Sequence, residues 1–353
     1  MRKGKRLIAW IMAVVMLFTI CVFGGNGTAE AAATTPVAKH GRLSVKGADL
    51  VDSKENKFQL RGISTHGINW DVGSPYVNKK AFKTLRDDWG VNAIRLAMYT
   101  EEYNGYCSGG SQAKLRKLVD KGVGYATDLG MYAIIDWHIL SDGNPNKNKS
   151  QAKKFFTTMA KKYKNNKNVI YEICNEPNGC SWKEIKSYAT DIIKTIRKYD
   201  KKAVIIVGTP TWSQLGTDGT SNEVADSPIK GYKNIMYSLH FYASEWAHNE
   251  YLPAKVAYAR KKKLPIIVSE FGLSPASGDG AINKASADKW MKLLNKYNIS
   301  YFCWSLSNKN ESASLLKPSI KKNSGWKSGD LSTAGKYIKK KYLARKKALG
   351  KKA

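Results

Sequence analysis

The chain has 353 residues, 42% of them hydrophobic, and a formal net charge of +31. A sizeable core can be buried in one large or two medium domains. Four cysteines follow residue 33, too few for a disulfide scaffold, and no CxxC pair or Cys/His spacing marks a zinc site. The basic excess comes with no recognised nucleic-acid motif. It reads as a solvated lysine-rich surface with no nucleic-acid partner, and with weak electrostatic contact to anionic polymers as its widest expected role.

Residues 1–33 read as a signal peptide. Arg2, Lys3, Lys5 and Arg6 open it, an apolar stretch follows, and "AEAAA" supplies small residues for cleavage near Ala31 or Ala33. The expected product is secreted and extracellular, with no stable membrane insertion once the leader is removed. Residues 34–41 form a short N-terminal segment, and "GRLSVKGADLVDSKENK" (41–57) reads as a small β-hairpin.

Eight short apolar runs then alternate with amphipathic ones. They are 58–65, 92–98, 132–138, 169–176, 203–209, 235–242, 265–272 and 300–307. Each is nearly continuous in β-branched or large apolar residues, as a strand buried on both faces must be. The intervening stretches 78–90 and 111–130 end on glycine, a helix stop, while 150–166 and 181–200 open on serine, a helix N-cap. This alternation predicts an α/β (β/α)₈ TIM barrel with a small N-terminal β-hairpin. An open doubly wound sheet is disfavoured, because no GxGxxG follows the first strand. A single catalytic barrel over 42–345 and a basic C-terminal tail over 346–353 complete the expected organisation. Cys174 and Cys303 fall in apolar strands, whereas Cys107 and Cys180 lie in loop-like stretches where they could pair.

In such a barrel the chemistry gathers at the C-terminal ends of the strands. Those ends carry His66 with Asn69 and Trp70, Arg95 with Tyr99, Asp136 with His138, and Asn175 with Glu176. Further round are Trp212, His240 with Tyr242, Glu270, and Trp304 followed by Asn308, Lys309 and Glu311. Two glutamates across one mouth, ringed by aromatics and hydrogen-bonding side chains, suit cleavage of a glycosidic bond. One group protonates the leaving oxygen and the other attacks or activates water. Taken singly, each could be structural: Glu176 or Glu270 as a partner for buried Arg95, each histidine as a satisfied core residue. Three of the five histidines and both glutamates fall at predicted strand ends; His40 and His248 do not. Asp136 is expected to orient a neighbour rather than to react.

The segments "IYEICNEPNG", "IVSEFG", "NAIRLAMY", "IIDWHIL", "YSLHFYA" and "FCWSLSNKNESAS" resemble glycoside hydrolase family 5, nearest to its bacterial endo-β-1,4-glucanases. The resemblance spans roughly 42–345. It implies a retaining mechanism with Glu176 as general acid/base, Glu270 as nucleophile and carboxyl groups about 5–5.5 Å apart. Asn175 would bind the sugar's 2-hydroxyl, and Arg95 would keep Glu270 ionised. Tyr242 would touch the nucleophile, His240 the acid/base, and His138 the sugar beside the scissile bond. Trp304 would stack on a bound glucose, with Lys309 and Glu311 bonding another. Trp70 and Trp212 would flank the cleft on opposite sides, with Tyr99 and His66 lining it. Asn69 stands where relatives usually have glutamine. The implied partner is β-glucan; the implied cofactor is none, and the implied state is a monomer. Another β-glycan (mannan, xylan, lichenan or xyloglucan) and a non-catalytic carbohydrate-binding barrel are the rival readings.

Overall fold

The computed structural model describes residues 35–350; the leader reading and the last three residues lie outside them. Ten strands are formed. β1 (Ser44–Lys46) and β2 (Asp49–Val51) make an antiparallel hairpin. The other eight are β3 (Arg61–Thr65), β4 (Ala93–Tyr99), β5 (Tyr132–His138), β6 (Val169–Glu172), β7 (Ile205–Val207), β8 (Ile235–Tyr242), β9 (Ile266–Gly272) and β10 (Tyr301–Leu306). They pair in parallel and in chain order, and β10 closes on β3. This is the (β/α)₈ barrel expected from the alternation.

Side chains alternate across each strand, so every second residue points inward. The lowest inward layer is apolar: Ala93, Tyr132, Ile134, Ile170, Val204, Ile206, Met236, Ile267 and Phe302 form one cluster with Leu43, Leu50, Phe58 and Leu60. The hairpin therefore floors the barrel. Val45 N–H donates to Asn234 Oδ1 at 2.9 Å, and Arg260 donates to Ala48 O at 2.6 Å. Gly62 leaves room for this layer, since a Cβ there would sit 2.0 Å from the Phe302 ring. The outward faces of the strands pack against helices through a second, larger cluster that includes Trp137, Phe155, Phe156 and Tyr171.

Helix ends follow local chemistry. Asn78 caps Lys79–Trp89, which stops at Gly90 in the left-handed region (φ 75°). Ser181 and Glu184 form a reciprocal capping box on Trp182–Arg197. Ser150 does not cap its helix. That helix starts at Lys149, and Asn148 at its N-cap donates instead to Glu101 Oε1 (2.6 Å) and Asp142 Oδ2 (2.9 Å). The segment from 346 is not set apart from the fold. Helix Thr333–Gly350 runs through it, buries Tyr337, Ile338 and Tyr342, and anchors Tyr342 Oη on Gly62 O at 2.8 Å. Cys107 and Cys180 are free thiols, so the pairing considered for them is not formed. Burial raises their pKa values to about 12 and about 11. Among the described residues no helix is long and apolar enough to cross a membrane.

Phe302→Ala should open a cavity in the floor and cost about 3–5 kcal/mol of stability. A lowered urea midpoint, with the activity of the folded fraction retained, is the expected result.

Candidate active site

One layer above the apolar floor, the inward positions turn polar. Arg95 on β4 is completely buried, and its guanidinium organises the layer. Nε donates to Glu172 Oε2 (2.7 Å), Nη1 to Glu270 Oε2 (3.0 Å) and Nη2 to Asn175 Oδ1 (2.6 Å). Asp136 Oδ2 is also 3.0 Å from Nη2. Burial works against the charge on Arg95, but Asp136, Glu172 and Glu270 outweigh it and hold its pKa above the usual value. The carboxylates do not share one cation evenly. Burial pushes Asp136 up to about 7 and raises Glu172, with Arg95 opposing in both cases.

Asn175 is oriented by this arrangement. Its oxygen accepts from Arg95, so its amide nitrogen must donate, reaching Ile139 O (3.1 Å) and His138 Nε2 (3.2 Å). His138 Nε2 is then an acceptor. Its proton lies on Nδ1 and is donated to Asp136 Oδ2 at 2.5 Å. Asp136 thus contacts the ring of a neighbour, His138. Both amide hydrogens of Asn175 are occupied.

Glu176 and Glu270 face each other. One carboxylate oxygen of each and a ring nitrogen of His240 all lie within 4.8 Å of one another. Their surroundings differ. Glu270 receives a donor on each oxygen, Arg95 on Oε2 and Tyr242 Oη on Oε1 at 2.8 Å. Glu176 has one partner, His240 Nδ1, at 2.8 Å from Oε1. Burial pushes its pKa up to about 8; Arg95 opposes this, and Asp136 and Glu172 add to it. Burial also lowers His240 to about 4, so that ring is neutral at neutral pH. Its Nε2 lies 2.9 Å from Ser269 Oγ, which contacts Ser238 Oγ.

The same three residues are the only cluster among the described residues with metal-ligand spacing. The donor set suits a cation poorly, because both oxygens of Glu270 are engaged and a cation there would stand against Arg95.

Glu270 reaches the site through an irregularity. β8 pairs Ser238 with Ile267 but His240 with Glu270, so β9 carries an extra residue between them. Regular alternation would point Ser269 inward and Glu270 out; the bulge brings both to the mouth. Gly272 leaves room for Tyr242, since a Cβ there would come within 2.5 Å of the ring.

Glu176, His240, Tyr242 and Glu270 line a cavity of about 490 Å³ that also takes in His66, Trp70, Tyr99, His138, Trp212, Trp304, Lys309 and Glu311; Arg95 and Asn175 are not among its lining residues. On one side Trp304 stacks on His138 (centroids 5.3 Å apart, planes 19° apart) and leans on His66. Trp70 packs on Tyr99 at 4.5 Å. Lys309 Nζ holds Glu311 Oε2 at 2.5 Å, while Glu311 Oε1 is buried without a hydrogen-bond partner. Asn69 is accounted for by its contacts. It accepts from Tyr99 N–H (2.9 Å) and donates to Asn104 O (2.9 Å), which secures the 99–104 turn. Trp212 stands on the other side, 47% exposed, with its backbone N–H donating to Pro177 O at 3.1 Å.

Sequence reasoning missed several residues of this region. Glu172 is the innermost, and parity would have found it: it lies two residues beyond inward-facing Ile170. Glu102, Leu140, Gln214, His248 and residues 276–278 line the cavity. They come from loops and a helix start, where no strand-end signal marks them.

The matches to known proteins agree with this geometry. Residues 51–310 match the family described as cellulase, glycosyl hydrolase family 5. An endoglucanase of Clostridium saccharobutylicum is 46% identical over 341 residues, covering 95% of this chain and 72% of that one. Endoglucanase 5 of Pectobacterium carotovorum subsp. carotovorum is 44% identical over 325 residues, covering 92% and 62%. The chain thus spans about two thirds of the length of these two relatives. Among solved structures, the cellulase Cel5C_n has TM-score 0.82 and 39% identity, covering 88% of this chain and 94% of that one. The catalytic domain of Thermobifida fusca endoglucanase Cel5A, in complex with cellotetraose, has TM-score 0.81 and 36% identity, covering 88% and 99%. A family match over most of the chain settles the relationship: this protein belongs to glycosyl hydrolase family 5.

Proposed function

We propose that this glycoside hydrolase is a secreted endo-β-1,4-glucanase that cleaves internal bonds of β-glucan with retention of configuration. The reading is carried by one observation: a carboxylate oxygen of Glu176 and one of Glu270 lie within 4.8 Å of each other across the cleft, in unlike hydrogen-bonding surroundings. An approach this close accords with direct attack by one carboxylate. Export rests on the basic and apolar leader sequence alone.

In the first step Glu270 attacks the anomeric carbon while Glu176 protonates the departing oxygen. The glycosyl–Glu270 ester is then hydrolysed by a water that gives its proton to Glu176. Arg95 and Tyr242 donate to the Glu270 carboxylate, one to each oxygen, and so fix its direction. Glu176 must begin protonated, and its raised pKa provides for that. Glu176 Oε1 pairs with His240 Nδ1, while Oε2 makes no hydrogen bond to any described residue. Trp304, Trp70 and Trp212 offer flat faces to sugar rings. Lys309 and Glu311 stand at the rim of the cleft as hydrogen-bonding groups for a further glucose, with Glu311 Oε1 3.6 Å from His66 Nε2. The same roles extend to His66 and Tyr99 as lining groups and to His138 and Asn175 beside the scissile bond.

The deciding experiment is proton NMR of cellohexaose hydrolysis. The β-anomer of the new reducing end should appear first. First appearance of the α-anomer would refute Glu270 as nucleophile, and no cleavage would refute the glucanase reading and redirect the test to mannan and xyloglucan.

Because Glu176 acts as an acid, kcat/KM should fall as pH rises through about 8. Glu176→Gln should lower kcat by about 10²–10⁴ and abolish that alkaline limb. Arg95→Met should strand buried carboxylates and cost about 3–5 kcal/mol in urea unfolding. Adding Glu172→Gln to it should restore part of the loss.

A further inference from the structure

We propose that Trp246 and Tyr251 form an additional binding platform for β-glucan, beyond Trp212 on the leaving-group side of the cleft; this rests on the glucanase reading. Trp246 is 69% exposed and Tyr251 37% exposed, at the start of helix Trp246–Lys261, which follows β8 at the mouth of the barrel. Their rings are 5.9 Å apart and nearly perpendicular. Aromatic side chains bury large areas on contact, so an indole left this open is a candidate anchor for a ligand.

The platform is continuous with the cleft at both ends of its short segment. Glu245, just before Trp246, accepts from Ala276 N–H at 2.7 Å, and Ala276 lines the cleft. His248, two residues after Trp246, also lines the cleft and accepts from Tyr242 N–H at 2.9 Å. Tyr251 rests on Gly219, where a Cβ would lie 2.8 Å from its ring. Gly219 belongs to the loop that carries Trp212 and Gln214. Buried Lys255, on the same helix, ties that loop down by donating to Gln214 O (3.1 Å) and to Asp218 O. Helix start, loop and cleft wall are therefore one surface.

The side follows from the acid. Trp212 backbone N–H bonds Pro177 O, so this wall is attached to the turn that carries Glu176, and the leaving group departs toward the proton donor. A chain that passes Trp212 meets Tyr251 and Trp246 next. The occupant is the distal part of the same β-glucan chain, and only longer substrates reach it.

The test compares wild type with Trp246→Ala and Tyr251→Ala on cellotetraose, cellohexaose and a long soluble β-1,4-glucan. Uniform binding remote from the chemistry appears in KM, not kcat. A stacking contact of about 0.5–1.5 kcal/mol corresponds to roughly two- to twelvefold. The expected result is a KM rise of that size for the polymer and cellohexaose, none for cellotetraose, and a shift in the cellohexaose cleavage position. An equal effect on all three substrates, or none on any, overturns the platform while leaving the glucanase reading intact. Absence of cleavage by wild type overturns both. If a variant has a lowered melting midpoint, the decision passes to Trp246→Tyr, which retains an aromatic face. Recovery of the long-substrate KM supports the platform, and failure to recover it at wild-type stability overturns it.

Discussion

The interaction on which the site depends is the burial of a single guanidinium beside three carboxylates. Arg95 has no access to water, and a buried charge must be paired. Its planar fork meets Glu172, Glu270 and Asn175 at once, and Asp136 closes the ring. An ammonium on a flexible stem could not serve these directions together. Through Asn175 the same cation fixes the tautomer of His138, and so the direction of the ring against which Trp304 packs. One residue of β4 thereby sets the geometry of groups drawn from β5, β6, β9 and β10.

The carboxylates differ because Arg95 reaches them differently. Glu270 is in direct contact with it and with Tyr242, while Glu176 feels it only at longer range and lies near Asp136 and Glu172 as well. Burial then dominates at Glu176 and favours the neutral acid. Two like residues across a few ångströms are thus given unlike surroundings by their neighbours. The bulge in β9 completes the pairing by carrying Glu270 round to the face where Arg95 waits.

Much of this was legible in the sequence, for identifiable reasons. The eight strands showed because strands buried on both faces cannot alternate with polar residues. Glu176 and Glu270 showed because two carboxylates fall at the ends of such strands, across one mouth. Glu172 did not show, since inside "VIYEIC" it reads as an interruption until the inward parity is counted from Ile170. The inward turn of Glu270 was hidden too, because a bulge has no signature in "IIVSEFG". The N-cap at Asn148 escaped notice because serine two residues on is the commoner cap; tertiary partners at Glu101 and Asp142 selected the asparagine's position.

Nothing in "TPTWSQL" announces the conformation of the wall opposite Trp304. Thr211, Trp212, Ser213 and Leu215 all have positive φ, at 56°, 52°, 62° and 64°. Each such non-glycine residue costs about 1–3 kcal/mol, so the surroundings must hold them. Ser213 Oγ accepts from Thr209 N–H (3.2 Å) and donates to Asn175 O (2.6 Å). Thr209 Oγ1 accepts from Leu215 N–H (2.9 Å) and donates to Ser238 O (3.0 Å). These bonds tie the strained turn to Asn175, the residue before Glu176, and to the strand that carries His240. Lys255 secures its far end. The turn therefore cannot relax without disturbing Asn175 or β8, and that coupling keeps Trp212 in register with Glu176. The two walls achieve rigidity by different means: stacked rings on the side of Trp304, and a hydrogen-bonded left-handed turn on the side of Trp212.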